Sequence, residues 1–358
     1  MSKNSEDRRS LITNPFLPAV ALAVLATVAI LPGIASAHDG HHGEVVATGE
    51  ALSDDDQTWL DQLLSELLVG NVEAAATFTM STNGATRIIV SDGLPNHATG
   101  QFPNSGNPHS ITTQSYQFSM PANPTANGSQ QSSEGYLFGV ALNGVVFDPA
   151  TAEYWNRDRS SGWRYEAISA NGPSLGLDDS NAHVQPNGAY HYHGLPDALL
   201  NLLSDRDAPT LIGYAADGFP IYGPLSYQDA DDPSSGLVEM QSSYVLKSGT
   251  RDSGPGGTYD GTFTQDWSYA AGSGTLDECN GRVGVTDEYP EGTYYYVITD
   301  EFPFIPRCFV GTPDNSFSFQ NARSDAGQSA GTQSGSVMPS QRPNRPRGGF
   351  PRPPRPRG

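Results

Sequence analysis

The chain has 358 residues, of which 39 are Asp or Glu and 19 are Lys or Arg, so its formal net charge is −20 at neutral pH. An acidic chain repels the phosphates of nucleic acids and of anionic membranes, which excludes nucleic acid as an expected partner. We expect a small molecule or a metal ion to be the partner instead.

Residues 1–37 have the pattern of a secretion signal. Arg8 and Arg9 precede an apolar run over 16–34, and 35–37 read Ala-Ser-Ala, which is typical of a cleavage site. We predict export to the periplasm or the extracellular space by the general secretory route, with the twin-arginine route as an alternative. No stable membrane insertion is expected after cleavage, because no other segment has the roughly 20 apolar residues of a spanning helix.

Residues 38–70 are predicted to form a histidine-containing lead followed by an amphipathic helix. Over 53–69 the apolar side chains recur at helical spacing, Ser53 can cap the helix, and Gly70 ends it. The apolar stripe is expected to be a packing face, with a partner-binding face as the alternative.

Three histidines of the lead, His38, His41 and His42, are candidates for a weak metal site. A flexible histidine-rich segment can capture Cu or Zn without forming a fixed site. Cleavage after Ala37 would also leave His38 with a free amine, which can chelate Cu(II) as a copper brace. A solvated spacer is the remaining alternative.

Residues 71–320 have the pattern of one mainly β domain. Short runs rich in Val, Ile, Thr, Tyr and Phe alternate with Gly, Pro, Asn and Asp. An Asn-Gly pair at 143–144 and an Asp-Gly pair at 217–218 lie between apolar runs and predict hairpins. One short helix is predicted over 196–203, with a proline at its first position. The expected fold is a β sandwich or distorted barrel with a few short helices.

Residues 321–358 are rich first in Gly and Ser and then in Pro and Arg. The final stretch, RPNRPRGGFPRPPRPRG, carries arginine and no acid. Such a composition lacks the apolar side chains that a core needs, so we predict a disordered tail.

The chain has two cysteines, Cys279 and Cys308. In an exported protein an even pair predicts one disulfide bond. A reactive thiol or a metal thiolate is the alternative, although the two residues are far from the C-x-x-C spacing.

The stretch NGAYHYHG at 187–194 places His191 and His193 in alternation with Tyr190 and Tyr192. Residues two apart on a strand point to the same face, about 6 to 7 Å apart along the backbone, so the two imidazoles can converge on one metal ion. The tyrosines would then pack on the opposite face. Neutral imidazole suits transition metals, and we expect Cu or Zn.

A third ligand is needed for tight binding, and His183 is the favoured candidate. It lies eight residues before His191, and the Asn-Gly turn at 187–188 can fold it back against the same strand. His97, in a proline-rich loop, is a further candidate ligand. The alternative is that these histidines only satisfy buried hydrogen bonds.

Two carboxylates are candidate catalytic groups, Asp179 and Asp217. If a bound metal activates water or O₂, either one could handle the protons of that step. Asp179 and its neighbour Asp178 could also act as ligands or as acceptors for the second ring nitrogen of a ligand. Asp217 precedes a glycine, so a structural hairpin turn is its favoured role and a carboxylate near the histidines is the second.

The motif GAYHYHGLP resembles the signature of the YHYH domain proteins, which are mostly exported bacterial proteins. Further stretches over about 85–315 are similar to that family: FGVALNGVVFDPATAEYWN, AHVQPNGAYHYHGLP, IGYAADGFPIYGP, LDECNGR and PEGTYYYVITDEFPFIPRCFVG. The resemblance implies an exported protein with a YHYH-type β domain over 71–320, whose signature is Tyr190, His191, Tyr192 and His193. It leaves the chemistry open.

Three functions therefore stay open. The protein can bind a transition metal through the H-x-H strand, or it can be a metal-dependent hydrolase or oxidoreductase. It can also be a non-catalytic adhesion or binding module, in which the YHYH strand is a structural element. The sequence does not decide whether the protein is an enzyme.

Overall fold

Short strands joined by tight turns make up the computed structural model of the chain, which describes residues 76–204 and 207–322. The predicted secretion signal, the histidine-containing lead, the helix over 53–69 and the tail beyond 322 lie outside the described residues. The described part is mainly β, which confirms the predicted fold class.

Each strand is short because glycine, proline and asparagine interrupt the apolar runs every few residues. The strands are β1 (Phe78–Asn83), β2 (Thr86–Ser91), β3 (Tyr116–Pro121), β4 (Gln131–Ser132), β5 (Gly139–Ala141), β6 (Val146–Phe147), β7 (Ala182–Val184), β8 (Tyr190–Tyr192), β9 (Leu211–Ala215), β10 (Pro220–Tyr222), β11 (Leu225–Tyr227), β12 (Leu237–Glu239), β13 (Tyr244–Leu246), β14 (Trp267–Tyr269), β15 (Gly281–Gly284), β16 (Thr293–Val297) and β17 (Cys308–Phe309). The α-helices of the described residues are α1 (Asp197–Leu203) and α2 (Phe319–Ala322).

One curled sheet of eight strands dominates the fold, in the order β15-β16-β10-β9-β5-β6-β8-β7. Most neighbours in it are antiparallel, whereas β10 with β16 and β6 with β8 are parallel. A second sheet has the order β1-β2-β3. Buried side chains of both sheets, such as Phe118 and Phe138, belong to one hydrophobic core. Two sheets sharing a core are the sandwich-like arrangement that the strand pattern indicates.

The predicted hairpins are present at both turn pairs. The Asn-Gly pair at 143–144 joins β5 to β6, and the Asp-Gly pair at 217–218 joins β9 to β10. A third turn, at 185–189, joins β7 to β8 and is closed by a hydrogen bond from the Gln185 N–H to the Ala189 carbonyl. This third turn sets the register of the strand that carries the two histidines.

Gly188 is required in that third turn, and we predict that Gly188→Ala lowers the free energy of unfolding. Its φ is +84°, and a Cβ would overlap the Thr112 hydroxyl and lie 2.8 Å from the Thr112 Cβ. Backbone strain of this kind costs about 1–3 kcal/mol, and the overlap adds to it. Urea denaturation followed by fluorescence measures the loss.

The matched control is Gly128→Ala. Gly128 has a similar φ of +70°, but a Cβ added to it would meet no neighbouring atom within 4 Å. It carries the backbone strain without the overlap, so its loss of stability should be the smaller of the two. Equal losses would show that the Thr112 contact does not constrain the turn.

Helix α1 begins directly after Pro196, one residue later than the sequence predicts, and ends at Leu203 as predicted. Within the described ranges, no helix is both long enough and apolar enough to cross a membrane. The predicted disulfide is confirmed, since Cys279 and Cys308 are bonded to each other. It joins the turn before β15, which is first in the order of the large sheet, to β17, which pairs with β4.

Candidate metal centre

Strand β8 carries the Tyr-His-Tyr-His stretch between β6 and β7. In the antiparallel pairing with β7, His183 lies directly opposite His191. In the parallel pairing with β6, Val146 lies opposite His191. His193 follows the end of β8, and its N–H donates to the Asn181 carbonyl at 2.8 Å. The turn at 185–189 thus brings the predicted third histidine beside the H-x-H pair.

The three imidazoles converge through their Nε2 atoms. His193 Nε2 lies 3.0 Å from His191 Nε2 and 3.1 Å from His183 Nε2. Two nitrogens that each lie about 2.0–2.1 Å from a zinc ion are about 2.9 to 3.4 Å apart for bond angles between a right angle and a tetrahedral angle. Among the described residues, these three form a group whose ligand atoms are close enough to hold one ion. The separations therefore fit a metal bound by three histidines.

Hydrogen bonds at the other ring nitrogens fix two of these imidazoles in the tautomer that a metal needs. His183 Nδ1 lies 2.8 Å from the Leu175 carbonyl, and His191 Nδ1 lies 3.1 Å from the Ala189 carbonyl. A carbonyl only accepts, so both Nδ1 atoms carry the proton and both Nε2 atoms carry a lone pair. Metal-binding histidines commonly have this arrangement, which fixes the tautomer and the ring orientation.

With the protons of His183 and His191 on their Nδ1 atoms, only His193 can supply a proton at the point where the three Nε2 atoms meet. A single N–H on His193 Nε2 faces two lone pairs, those of His191 Nε2 and His183 Nε2, and it can donate well to only one of them. A cation at the same point would accept all three lone pairs at once. The Nδ1 of His193 is buried without a partner of good hydrogen-bond geometry, although the Asp148 backbone is near enough to raise the pKa of the ring.

Burial lowers the pKa of His183 and, more strongly, that of His193. For His183 the loss of solvent is the largest cause, and the Leu175 carbonyl and the Glu153 carboxylate oppose it. For His193 burial is the largest cause, followed by the neighbouring imidazoles of His191 and His183. The residues of the H-x-H pair are almost inaccessible, at 2% for His191 and 4% for His193. Neutral imidazole, the form that binds metal, is therefore the form that the fold favours.

The sequence profile of the family described as YHYH protein matches residues 117–311, which is more than half of the chain. The chain belongs to the YHYH protein family. The matched region contains the three converging histidines and both motif tyrosines. No curated protein and no solved structure matches the chain.

His97, the further candidate ligand of this YHYH family member, lies elsewhere. Its Nε2 is 2.6 Å from the hydroxyl of Tyr192, and its Nδ1 is 2.9 Å from the Ala98 carbonyl. Because side chains alternate along a strand, Tyr192 and its partner lie on the face of β8 opposite His191. The structure therefore brings His97 to the tyrosine face of the motif and places three of the four candidate ligands together.

The two candidate catalytic carboxylates occupy other surroundings. Asp217 is buried, and its carboxylate accepts hydrogen bonds from the Tyr296 hydroxyl at 2.6 Å and from the Gly311 N–H at 2.9 Å. Burial raises the pKa of Asp217. Asp179 lies close enough to Asp197 to help raise the pKa of that carboxyl. The group of described residues whose ligand atoms are close enough to hold one ion includes neither aspartate.

The structure places two acids near the histidines that the sequence analysis did not single out. Asp148 directly follows β6, its N–H donates to the Tyr192 carbonyl at 2.9 Å, and the residue is 3% exposed. Its Oδ2 accepts from Gln185 Nε2 at 3.2 Å. Glu153 acts electrostatically on His183. The parallel pairing of β6 with β8 brings Asp148 close to the histidines. No local spacing in the sequence indicates that pairing.

Proposed function

We propose that this protein binds one transition-metal ion through the Nε2 atoms of His183, His191 and His193. The observation that carries the proposal is the pair of short separations, 3.0 and 3.1 Å, from His193 Nε2 to the other two Nε2 atoms. At this point one N–H at most is available for two facing lone pairs. An all-imidazole set of ligands suits Cu and Zn, and we propose one of these as the bound metal.

Three protein ligands also favour a metal with an open coordination position. Structural zinc sites are usually closed by four protein ligands, whereas catalytic sites keep one position for water or substrate. Within the described residues the group contains three histidines and no fourth side chain. A metal-dependent hydrolase or oxidoreductase is thus the second candidate function, with the metal activating water or O₂.

The third candidate function, a non-catalytic adhesion or binding module, has less support. In such a protein the nitrogens of the motif histidines would be satisfied by backbone groups. Here the carbonyl groups of Leu175 and Ala189 satisfy two Nδ1 atoms, and all three Nε2 atoms face one another. This arrangement supports a bound cation more than a purely structural strand.

The place of action that we propose is outside the cytoplasm. The bonded pair of Cys279 and Cys308 is compatible with this proposal, because disulfides form and persist in oxidising compartments. The signal-like pattern over 1–37 points in the same direction. A periplasmic or extracellular protein would meet its metal or small-molecule partner there.

Elemental analysis of the purified protein tests metal binding directly. We expect about one Cu or Zn per chain, removed by a strong chelator and restored when either ion is added back. A protein that is folded, takes up neither ion and shows no change in its unfolding temperature on addition of either ion would contradict the proposal. Stoichiometric metal with an exchangeable water molecule in a remaining coordination position would favour the enzymatic alternative.

A further inference from the structure

The tyrosines of the motif are anchored through their hydroxyl groups on the face of β8 opposite the histidines. Tyr192 is fully buried, and its hydroxyl lies 2.6 Å from His97 Nε2. His97 Nδ1 faces the Ala98 carbonyl, so that nitrogen carries the proton and Nε2 accepts from the phenol. Asn143 Nδ2 donates to the same hydroxyl at 2.9 Å and to Asn96 at 3.0 Å. The phenol of Tyr192 is therefore held from two sides.

Tyr190 is anchored by a different acceptor, the carboxylate of Asp178. The Tyr190 hydroxyl donates to Asp178 Oδ2 at 2.7 Å, and the Gly100 N–H donates to the same oxygen at 3.1 Å. Asp178 Oδ1 accepts from the N–H groups of Ser180 and Ala182, at 3.0 and 3.2 Å. Ala182 begins β7 and precedes His183. One carboxylate thus connects the ligand-bearing strand β8 to the start of the strand that carries the third histidine.

These anchors restrict the movements that would separate the metal ligands. β8 has three residues, and His191 lies between the two tyrosines. Rotation of so short a strand about its own axis would swing the imidazole away from His183, and it would also pull both phenols from their acceptors. A tyrosine ring has few rotatable bonds, so fixing its hydroxyl fixes the backbone to which it is attached. The ring of Tyr192 is further stacked on His97, with centroids 5.9 Å apart.

We propose that Tyr190 and Tyr192 are positioning residues for the metal centre, with Asp178 and His97 as the acceptors that hold their hydroxyls. The proposal rests on the proposed metal binding at the three histidines. It explains the alternation of the motif, since one face of β8 supplies ligands and the other face supplies the anchors. Outer groups that orient metal ligands typically change metal affinity by about 10- to 100-fold when they are removed.

The decisive experiment compares Co(II) binding by the full-length protein and by Tyr190→Phe, Tyr192→Phe and the double variant. Each change removes a hydroxyl and retains the ring and its packing. We expect the double variant to bind Co(II) about 10- to 100-fold more weakly, with altered visible absorption bands and faster loss of the ion to a chelator. A purely structural role would lower the urea midpoint of the metal-free protein and leave the bands and the affinity of the folded protein unchanged.

Tyr222→Phe is the matched control. Tyr222 lies in β10 of the same sheet, is fully buried, and its hydroxyl makes 2.7 Å hydrogen bonds with Thr286 and Glu288. The Tyr222→Phe variant loses a buried hydroxyl of the same kind, and β10 is separated from β8 by three strands in the sheet order. We expect it to lower stability without changing the Co(II) spectrum or affinity.

Changes at the acceptor provide an independent test if the double variant does not fold. His97→Gln keeps an oxygen that can accept from Tyr192, whereas His97→Leu does not. We expect the glutamine variant to bind Co(II) nearly as tightly as the natural protein and the leucine variant to bind it less tightly. Identical spectra and affinities in the natural protein, the tyrosine variants and both His97 variants would overturn the positioning role. Failure of the natural protein to take up Cu, Zn or Co(II) would instead overturn the proposed function, and the positioning role with it.

Discussion

Replacing His193 by alanine should abolish most of the stabilisation that we expect a bound metal ion to give to this protein. The Nε2 of His193 lies within about 3 Å of both other ligand nitrogens, so its loss leaves a pair of imidazoles in place of a three-sided site. Ligand at a thousandfold excess over its dissociation constant stabilises a folded protein by about 4 kcal/mol. We expect the natural protein to gain about this much at saturating Zn(II) and the variant to gain little, as measured by urea denaturation with and without the ion.

Two comparisons show whether the effect belongs to the ligand group. His191→Ala and His183→Ala should behave like the His193 variant, because each removes one of three converging nitrogens. His109→Ala removes a partly exposed histidine that acts electrostatically on His183 but lies outside that group, and it should keep most of the metal-dependent stabilisation. Equal gains of stability from Zn(II) in all four variants would show that the ion binds at some other place.

Loss of the disulfide should have the second large effect. We expect the double change Cys279→Ser and Cys308→Ser to lower the free energy of unfolding by about 3–4 kcal/mol, because the bond closes a loop of about 30 residues in the unfolded chain. The two cysteines are 29 positions apart, and Cys279 is fully buried. Urea denaturation of the oxidised natural protein and of the variant, both free of metal, measures the difference.

The metal content of the same variant is the internal control. Neither cysteine belongs to the histidine group, although Arg307, the neighbour of Cys308, is close enough to act electrostatically on His193. Below the unfolding transition, the variant should therefore bind as much metal as the natural protein. A change in stability of less than about 1 kcal/mol would mean that the unfolded chain is already restricted without the bond.

Short-range rules were sufficient for the central part of the site. Strand alternation by itself places His191 and His193 on one face, and the Asn-Gly turn at 187–188 returns the chain so that His183 comes opposite His191. The hairpins at 143–144 and 217–218 follow from the same turn chemistry. These features depend on the backbone geometry of a few consecutive residues, which the residue types determine directly.

Only the tertiary structure decided which face of the motif each distant residue joins. His97 is 95 positions from Tyr192, and Asp148 reaches the site through the parallel pairing of β6 with β8. A loop histidine can approach a strand from either side, and sequence spacing does not encode the choice. Packing of the whole core decides which side the histidine approaches, because contacts between remote segments depend on how all the strands are ordered. The convergence of His191 and His193 was therefore determined by the sequence alone, whereas the positions of Asp178 and His97 beside the motif tyrosines were decided by the assembly of the sheet.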